Sequence, residues 1–421
     1  MMSLYTFLLY LYRALLKGAT LFVPKAQLLL DGQKRSQKDL DQWLSTLPSK
    51  RNLIWMHCAS LGEFEQGRPV LERIQQEYPS VFILLSFYSP SGFEVRKSTP
   101  LAHQVVYLTP DFPANVDAWV SKIAPDFFIT VKYEVWPNLF YALNRAGVPI
   151  FMLSAIFRKD HRYFGWMSFF WRPVLRNVSH FFVQNTISGE MLDRMGITSH
   201  TLIGDTRYDR VFALSKNTVL PEVYEHWIGD TPVIILGSSY STEESIVKFI
   251  WNDWKGRFKL IIAPHHIDDE NISRIMMEWE GDIFLATDLK GNKSIDMRKS
   301  VMLLNTMGEL GGLYSKGILA VVGGGWEGGI HNTLEPAAHG LAVVWGPKDH
   351  GFEEAKRLSD EGGGNRFGAP QPLKDWLSVH LGDHAVLKKM GQSAQRHVQS
   401  NTGATEQFMK FFRPLLDEKK N

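Results

Sequence analysis

The chain has 421 residues, 44% of them hydrophobic and 21% charged, and its formal net charge is +2; that length exceeds one ordinary core and favours two or three domains. The near-neutral balance argues against a general nucleic-acid binder, which needs concentrated basic charge to hold phosphates. A single cysteine, Cys58, excludes an internal disulfide and a cysteine-based zinc cluster, and fits a reducing compartment.

The first predicted element is the apolar, aromatic stretch 3–23. Arg13 and Lys17 interrupt it before about 20 clean residues accumulate, so a simple spanning helix is not expected. A signal peptide carries positive charge ahead of its apolar core and small residues at a cleavage site after it, and neither pattern is clear here. Leu, Phe and Tyr side chains flanked by Arg13, Lys17 and Lys25 suit a helix lying in the interface of the cytoplasmic leaflet, basic groups toward anionic headgroups. A helix buried on its own domain is the competing reading. Residues 1–30 are accordingly expected to be a membrane-associating segment.

Residues 31–214 read as a first domain. Apolar runs at Asn52–Cys58, Val81–Phe87, Gln104–Leu108, Phe127–Val131, Pro149–Ser154 and His180–Gln184 alternate with helical segments. That alternation predicts a parallel, doubly wound sheet, whose ligands bind beyond the carboxyl ends of the strands. Those ends carry Ser60 to Glu63, Ser86 to Gly92, and Lys132-Tyr133-Glu134. Glu63 follows Gly62 in a strand-to-helix turn, and Glu134 precedes a Trp-Pro turn, so both carboxylates are candidates for acid–base work at one rim. A first-turn glutamate favoured by the helix dipole accounts for Glu63 equally well on local grounds, and Glu134 has an alternative as a helix cap.

The polar stretch 215–231, with Pro221 inside it, is the expected linker, and 232–421 the second domain. There the pattern restarts at Val233–Leu236, Phe258–Ala263 and Val301–Leu304, and each run ends in a polar turn: Gly237-Ser238-Ser239, Pro264-His265-His266 and Thr306-Met307-Gly308-Glu309. The most informative stretch is 318–347. An apolar run leads into three glycines, Gly328 and Gly329, and then Asn332-Thr333-Leu334-Glu335, which is expected to open a helix ending near Gly340, before a strand at Leu341–Trp345. Glycines allow close backbone approach and a helix start favours an anion, so a phosphate is the expected guest, with His331, Asn332 and Glu335 as fixed polar partners. An ordinary crossover with a flexible loop is the alternative. No GxxxxGK[ST], GxSxG or HExxH motif occurs, which lowers the P-loop ATPase, hydrolase and zinc readings.

Five blocks together, CASLGEF at 58–64, YEVWPN at 133–138, GDTRYDRV at 204–211, TMGEL at 306–310 and GGIHNTLEPAAHG at 328–340, resemble the bacterial 3-deoxy-D-manno-octulosonic acid (Kdo) transferases of lipid A assembly. The resemblance spans roughly residues 1–410. It implies a GT-B fold, two Rossmann-like doubly wound domains facing across a cleft. It also implies a CMP-Kdo donor in the C-terminal half, a lipid A precursor as acceptor, and the cytoplasmic face of the inner membrane as location. No cofactor, metal or nucleic acid is implied. Carried over by motif, Glu63 is the catalytic base with Glu134 beside it. CMP is expected at Pro264, His265 and His266, at Met307, Gly308 and Glu309, and at Asn332, Thr333, Leu334 and Glu335. Three positions depart from the family pattern: His265 stands where arginine is usual, Thr333 where proline is usual, and Lys132 where the first acid of the ExELWPN block belongs. Another GT-B transferase or epimerase, and a sugar-nucleotide or lipid-binding module without catalysis, remain as alternatives.

Overall fold

The computed structural model describes residues 2–158, 161, 163–291 and 296–420, which divide into two compact units, Met1–Asp209 with Gly403–Asn421, and Arg210–Thr402. Unit 1 contains β1 (Leu53–Cys58), β2 (Phe82–Phe87), β3 (Gln104–Tyr107), β4 (Phe127–Val131), β5 (Ile150–Ala155), β6 (His180–Val183) and β7 (His200–Leu202). Their order is β3-β2-β1-β4-β5-β6-β7, all parallel. The central strands are apolar runs because helices cover both faces. Along β1, Trp55 enters one core with Phe128 and Phe140, and its neighbour Met56 enters the opposite one with Phe87 and Phe127.

Unit 2 repeats the plan with β8 (Val233–Ser239), β9 (Lys259–Pro264), β10 (Ile283–Leu285), β11 (Val301–Leu303), β12 (Gly317–Val322), β13 (Ala342–Trp345) and β14 (Gly364–Arg366). Its order is β10-β11-β9-β8-β12-β13-β14, again parallel throughout. Two Rossmann-like, doubly wound units are therefore present, as expected. The strands that sequence patterning missed, β7, β10 and β14, are three-residue strands at sheet edges, too short to show a period.

The expected domain limits need three corrections. The proposed linker 215–231 is not one: helix Glu222–Ile228 lies in it, and Tyr224, Trp227 and Ile228 are core residues of unit 2. The second domain does not run to 421, because helix Ala404–Lys420 belongs to unit 1, where Phe408 packs on Phe182 and Phe412 on Phe127 and Phe151. The Asp209 carboxylate accepts from the backbone N–H groups of Gly403 and Thr405 and fixes that return. Finally, no break falls at 30/31, since helix Pro24–Thr46 runs straight through it. Ser36 on that helix accepts the Tyr107 backbone N–H at 2.8 Å, and Gly32 is required because a Cβ there would lie 2.2 Å from the Tyr107 ring.

The first helix, Met2–Ala19, contains no buried residue. Its inner side is tied down by Tyr5 donating to Asp111 at 2.8 Å, by Tyr12 and Tyr88 hydroxyls 3.0 Å apart, and by Arg13 donating to the buried Gln33. Leu4, Phe7, Leu8, Leu11 and Leu15 are each more than half exposed. Among the described residues no single helix is long and apolar enough to cross a membrane, and the first two helices meet at 118°.

Candidate active site and donor pocket

In unit 1 the strand order reverses between β1 and β4, and a doubly wound sheet opens its ligand crevice at such a point. Both predicted carboxylates stand there. Glu63 is the third residue of helix Leu61–Glu77, which begins right after β1, and its Oε2 accepts from the backbone N–H groups of Ala59 and Ser60. It is therefore both a capping residue and a buried acid, 6% exposed. Burial first, then the charge of Glu134, pushes its carboxyl up to about 8, with Lys132 and the two N–H groups pulling the other way. A carboxyl raised this far is largely protonated at neutral pH and becomes a proton acceptor as pH climbs toward 8.

Glu134 sits in the loop after β4, where Thr130 Oγ1 donates to its carbonyl at 3.0 Å. Lys132, two residues earlier, adopts φ +62°, a left-handed conformation that costs a non-glycine residue energy and recurs at functional sites. The loop is anchored from both ends. The Trp136 indole donates to His57 Nε2 at 3.1 Å, and His57, fully buried and held neutral by burial, bonds Ser86 through Nδ1 at 3.0 Å. Asp111 accepts from the N–H groups of Asn138 and Leu139, which start helix Pro137–Arg145. These supports join residues distant in sequence, and no local motif signals them.

In unit 2 the corresponding reversal lies between β8 and β12. A cavity of about 720 Å³ opens beside it, beyond the ends of β8, β9 and β11. Six predicted donor residues line it: Pro264, His265, Met307, Gly308, Glu309 and Glu335. Arg210, Asn217, Ser238 and His339 also line it, and sequence reasoning did not single them out. Arg210 and Asn217 are brought there by helix Thr206–Lys216 and the chain after it, which patterning does not reveal.

The other four predicted donor residues do not line the cavity. His266 is exposed next to His265. Asn332 instead shapes the turn, accepting the Leu334 N–H and donating to Glu335 Oε1, both at 3.0 Å. Thr333 and Leu334 are 1% and 0% exposed, so their side chains belong to the interior. The helix expected from Asn332 to Gly340 is only Leu334–Ala338, five residues, and has little dipole to offer an anion. The glycine run likewise answers to packing. A Cβ on Gly323 would lie 2.0 Å from the Ser238 carbonyl oxygen, one on Gly324 2.3 Å from that of Gly329, and one on Gly325 2.5 Å from the Gly346 backbone. Those glycines admit neighbouring backbone rather than a phosphate. Glu309 is engaged as well, accepting from Thr306, from Tyr224 at 3.1 Å and from Lys290 at 2.6 Å, which pins the Gly308 turn against the pocket.

Residues 34–210, which include Glu63, Glu134 and their supports, match the family described as 3-deoxy-D-manno-octulosonic-acid transferase. Two curated Kdo transferases extend the likeness over both units. The Haemophilus influenzae protein is 26% identical over 86% of this chain and 87% of its own length, and the Bordetella pertussis protein 26% identical over 84% and 85%. The chain is similar to Kdo transferases along most of its length. Its fold is that of GT-B proteins. A UDP-GlcNAc 2-epimerase from Neisseria meningitidis superposes with a TM-score of 0.60 over 85% of this chain and 98% of its own, at 14% identity. The MurG of Acinetobacter baumannii gives 0.51 over 86% and 99%, also at 14%. That likeness leaves the two carboxylates of unit 1 and the cavity of unit 2 as the places where chemistry is to be sought.

Proposed function

We propose that the chain is an inverting glycosyltransferase that moves Kdo from CMP-Kdo onto the phosphorylated, acylated disaccharide precursor of lipid A. The observation that carries the mechanism is the buried Glu63 beside Glu134 at the reversal point of the unit 1 sheet. Glu63 removes the proton of an acceptor hydroxyl, the oxygen attacks the anomeric carbon of Kdo, and the bond to the CMP phosphate breaks with its electron pair leaving on the phosphate. One base serves an inverting displacement, with no covalent sugar–enzyme intermediate. Burial, and after it Glu134, keeps the Glu63 proton affinity high, and the nearby Lys132 ammonium moderates it. The donor is read into the unit 2 cavity, whose volume suits a small nucleotide ligand.

The same reading places the protein on the cytoplasmic face of the inner membrane through helix Met2–Ala19. Its exposed Leu and Phe side chains and its exposed Lys17 support interfacial binding. Phe7 and Leu15 make no demand on the fold at 64% and 66% exposure, so their double replacement by Glu is expected to release the protein from anionic vesicles while CMP binding persists. Unchanged vesicle binding sinks the anchoring. The catalytic reading is tested by mass spectrometry of the product formed from CMP-Kdo and acceptor. Failure to transfer Kdo, with CMP bound, removes it.

A further inference from the structure

Helix Met2–Ala19 has no buried residue, so no enclosed side chain fixes its place on unit 1. Tyr5 and Tyr12 lie seven residues apart, about two helical turns, and therefore share one face, while Leu4, Phe7, Leu11 and Leu15 stand exposed around the rest. Both tyrosine hydroxyls end on supports of the loop that carries Glu134.

Tyr5 donates at 2.8 Å to Asp111 Oδ2, which also accepts the Asn138 N–H at 3.1 Å, and Asp111 Oδ1 accepts the Leu139 N–H at 2.8 Å. Asn138 and Leu139 lie in the first turn of helix Pro137–Arg145, whose own N-cap residue, Trp136, supplies no side-chain cap. A carboxyl group 3% exposed, from a loop distant in sequence, therefore satisfies this helix start, and the helix begins three residues after Glu134. The Tyr12 and Tyr88 hydroxyls are 3.0 Å apart, and the Tyr88 ring packs at 4.9 Å on Trp136, whose indole donates to His57. Arg13 reaches the same region less directly, since Gln33, to which it donates, itself donates to the Leu108 carbonyl three residues before Asp111.

The near end of the Glu134 loop is held by the sheet, where Thr130 donates to the Glu134 carbonyl. Its far end is held by Asp111 and by Tyr88, the two groups that the first helix touches through hydroxyls. An acid that acts with a second acid needs its position fixed closely, because a misplacement of about 1 Å costs on the order of a hundredfold in rate.

We propose that Tyr5 and Tyr12 are positioning residues for the transfer reaction, holding through Asp111, and through Tyr88 and Trp136, the loop that sets Glu134 beside Glu63. This deepens the proposed reaction and rests on it. The helix offered to the membrane is then also part of the frame of the acid pair, and its two hydroxyls act on turnover rather than on attachment.

The test uses the full-length variants Tyr5→Phe, Tyr12→Phe and the two combined. Each change removes a hydroxyl only and leaves the helix more apolar, so vesicle binding and CMP affinity are expected to stay as in the unaltered protein. Turnover, kcat, is expected to fall about threefold to tenfold in each single variant and about tenfold to a hundredfold in the double, while KM for CMP-Kdo stays within about twofold, because the donor is read into unit 2. Hydrogen exchange followed by mass spectrometry is expected to quicken across residues 132–139 and not across β1 or β5. A double variant whose kcat stays within about twofold of the unaltered protein overturns the positioning role and leaves Kdo transfer standing. A fall in kcat that comes with release from vesicles, or with quickened exchange throughout unit 1, also overturns it, since anchoring or folding then accounts for the loss. An unaltered protein that binds CMP and moves no Kdo overturns the proposed reaction and the positioning with it. The single variants decide the matter where the double fails to fold.

Discussion

The corner after β1 and the corner after β8 begin alike. Each is a central parallel strand running into a helix whose third residue is a glutamate reaching back to the backbone before it, Glu63 to Ala59 and Ser60, Glu243 to Tyr240. Both carboxyls are buried and both are pushed up, Glu63 to about 8 and Glu243 to about 7, chiefly by loss of water. What separates them is the loop that the neighbouring strand delivers. After β4 come Lys132 and Glu134, so Glu63 has a second acid and a cation within electrostatic reach. After β12 come Gly323, Gly324 and Gly325, which let that loop settle onto the end of β8, and Glu243 is left with 0% exposure and Glu327 as its acidic neighbour. The same capping device thus leaves an acid beside a second carboxylate and a cation in one unit and a fully enclosed acid in the other, and the adjoining loop decides which.

Replacing each glutamate by its amide is the strongest way to break this comparison. Glu63→Gln keeps size and one acceptor oxygen but not the proton-accepting carboxylate, and loss of a positioned base lowers turnover by about 10²–10⁴. CMP affinity is expected to persist in the same preparation. Near-normal turnover removes Glu63 from the chemistry. Glu243→Gln is expected to leave turnover at the order of the unaltered protein, and a collapse comparable to that of Glu63→Gln ends the distinction drawn between the corners.

Two smaller effects sharpen it. Glu335 lines the unit 2 cavity and accepts from Asn332, so Glu335→Ala is expected to weaken CMP binding by about 1–3 kcal/mol, the cost of unpaired polar groups. Calorimetry with unchanged affinity places Glu335 outside the nucleotide site. Removing the cap itself, Glu243→Ala, should cost about 0.5–2 kcal/mol in unfolding free energy by denaturant titration, as caps do.

The pH dependence follows from the same contrast. As a base, Glu63 works only when ionised, so kcat/KM is expected to rise with pH along a limb centred near the raised value of about 8. Its effect on stability has the opposite sign. The folded state holds a proton that the unfolded chain releases near the ordinary glutamate value of 4.5, so stability falls as pH climbs from there toward about 8. Glu63→Gln escapes that loss and should melt no lower than the unaltered protein at pH 8, with the advantage shrinking at pH 5. A variant that melts well below it at both pH values marks Glu63 as chiefly a cap.

Much of the fold is legible in the sequence because buried parallel strands must be apolar runs: Phe127–Val131 was bounded as observed, and the two alternating series announced two doubly wound sheets. Glu63 and Glu134 were legible too, since a strand end names the rim its next residues occupy. Tertiary structure decided what local pattern cannot encode. Helix Ala404–Lys420 reads as an ordinary amphipathic segment, and only its apolar face meeting Phe127, Phe151 and Phe182 assigns it to unit 1. The glycines at 323–325 look like a phosphate loop, yet the atoms they make room for are the carbonyls of Ser238 and Gly329 and the backbone of Gly346. Thr333 and Leu334 carry a motif but point inward, while Tyr240 carries none and joins His265 and His331. Burial and ring stacking are properties of segments brought together from afar, which is why strand ends could be read from residue order and the occupants of the site could not.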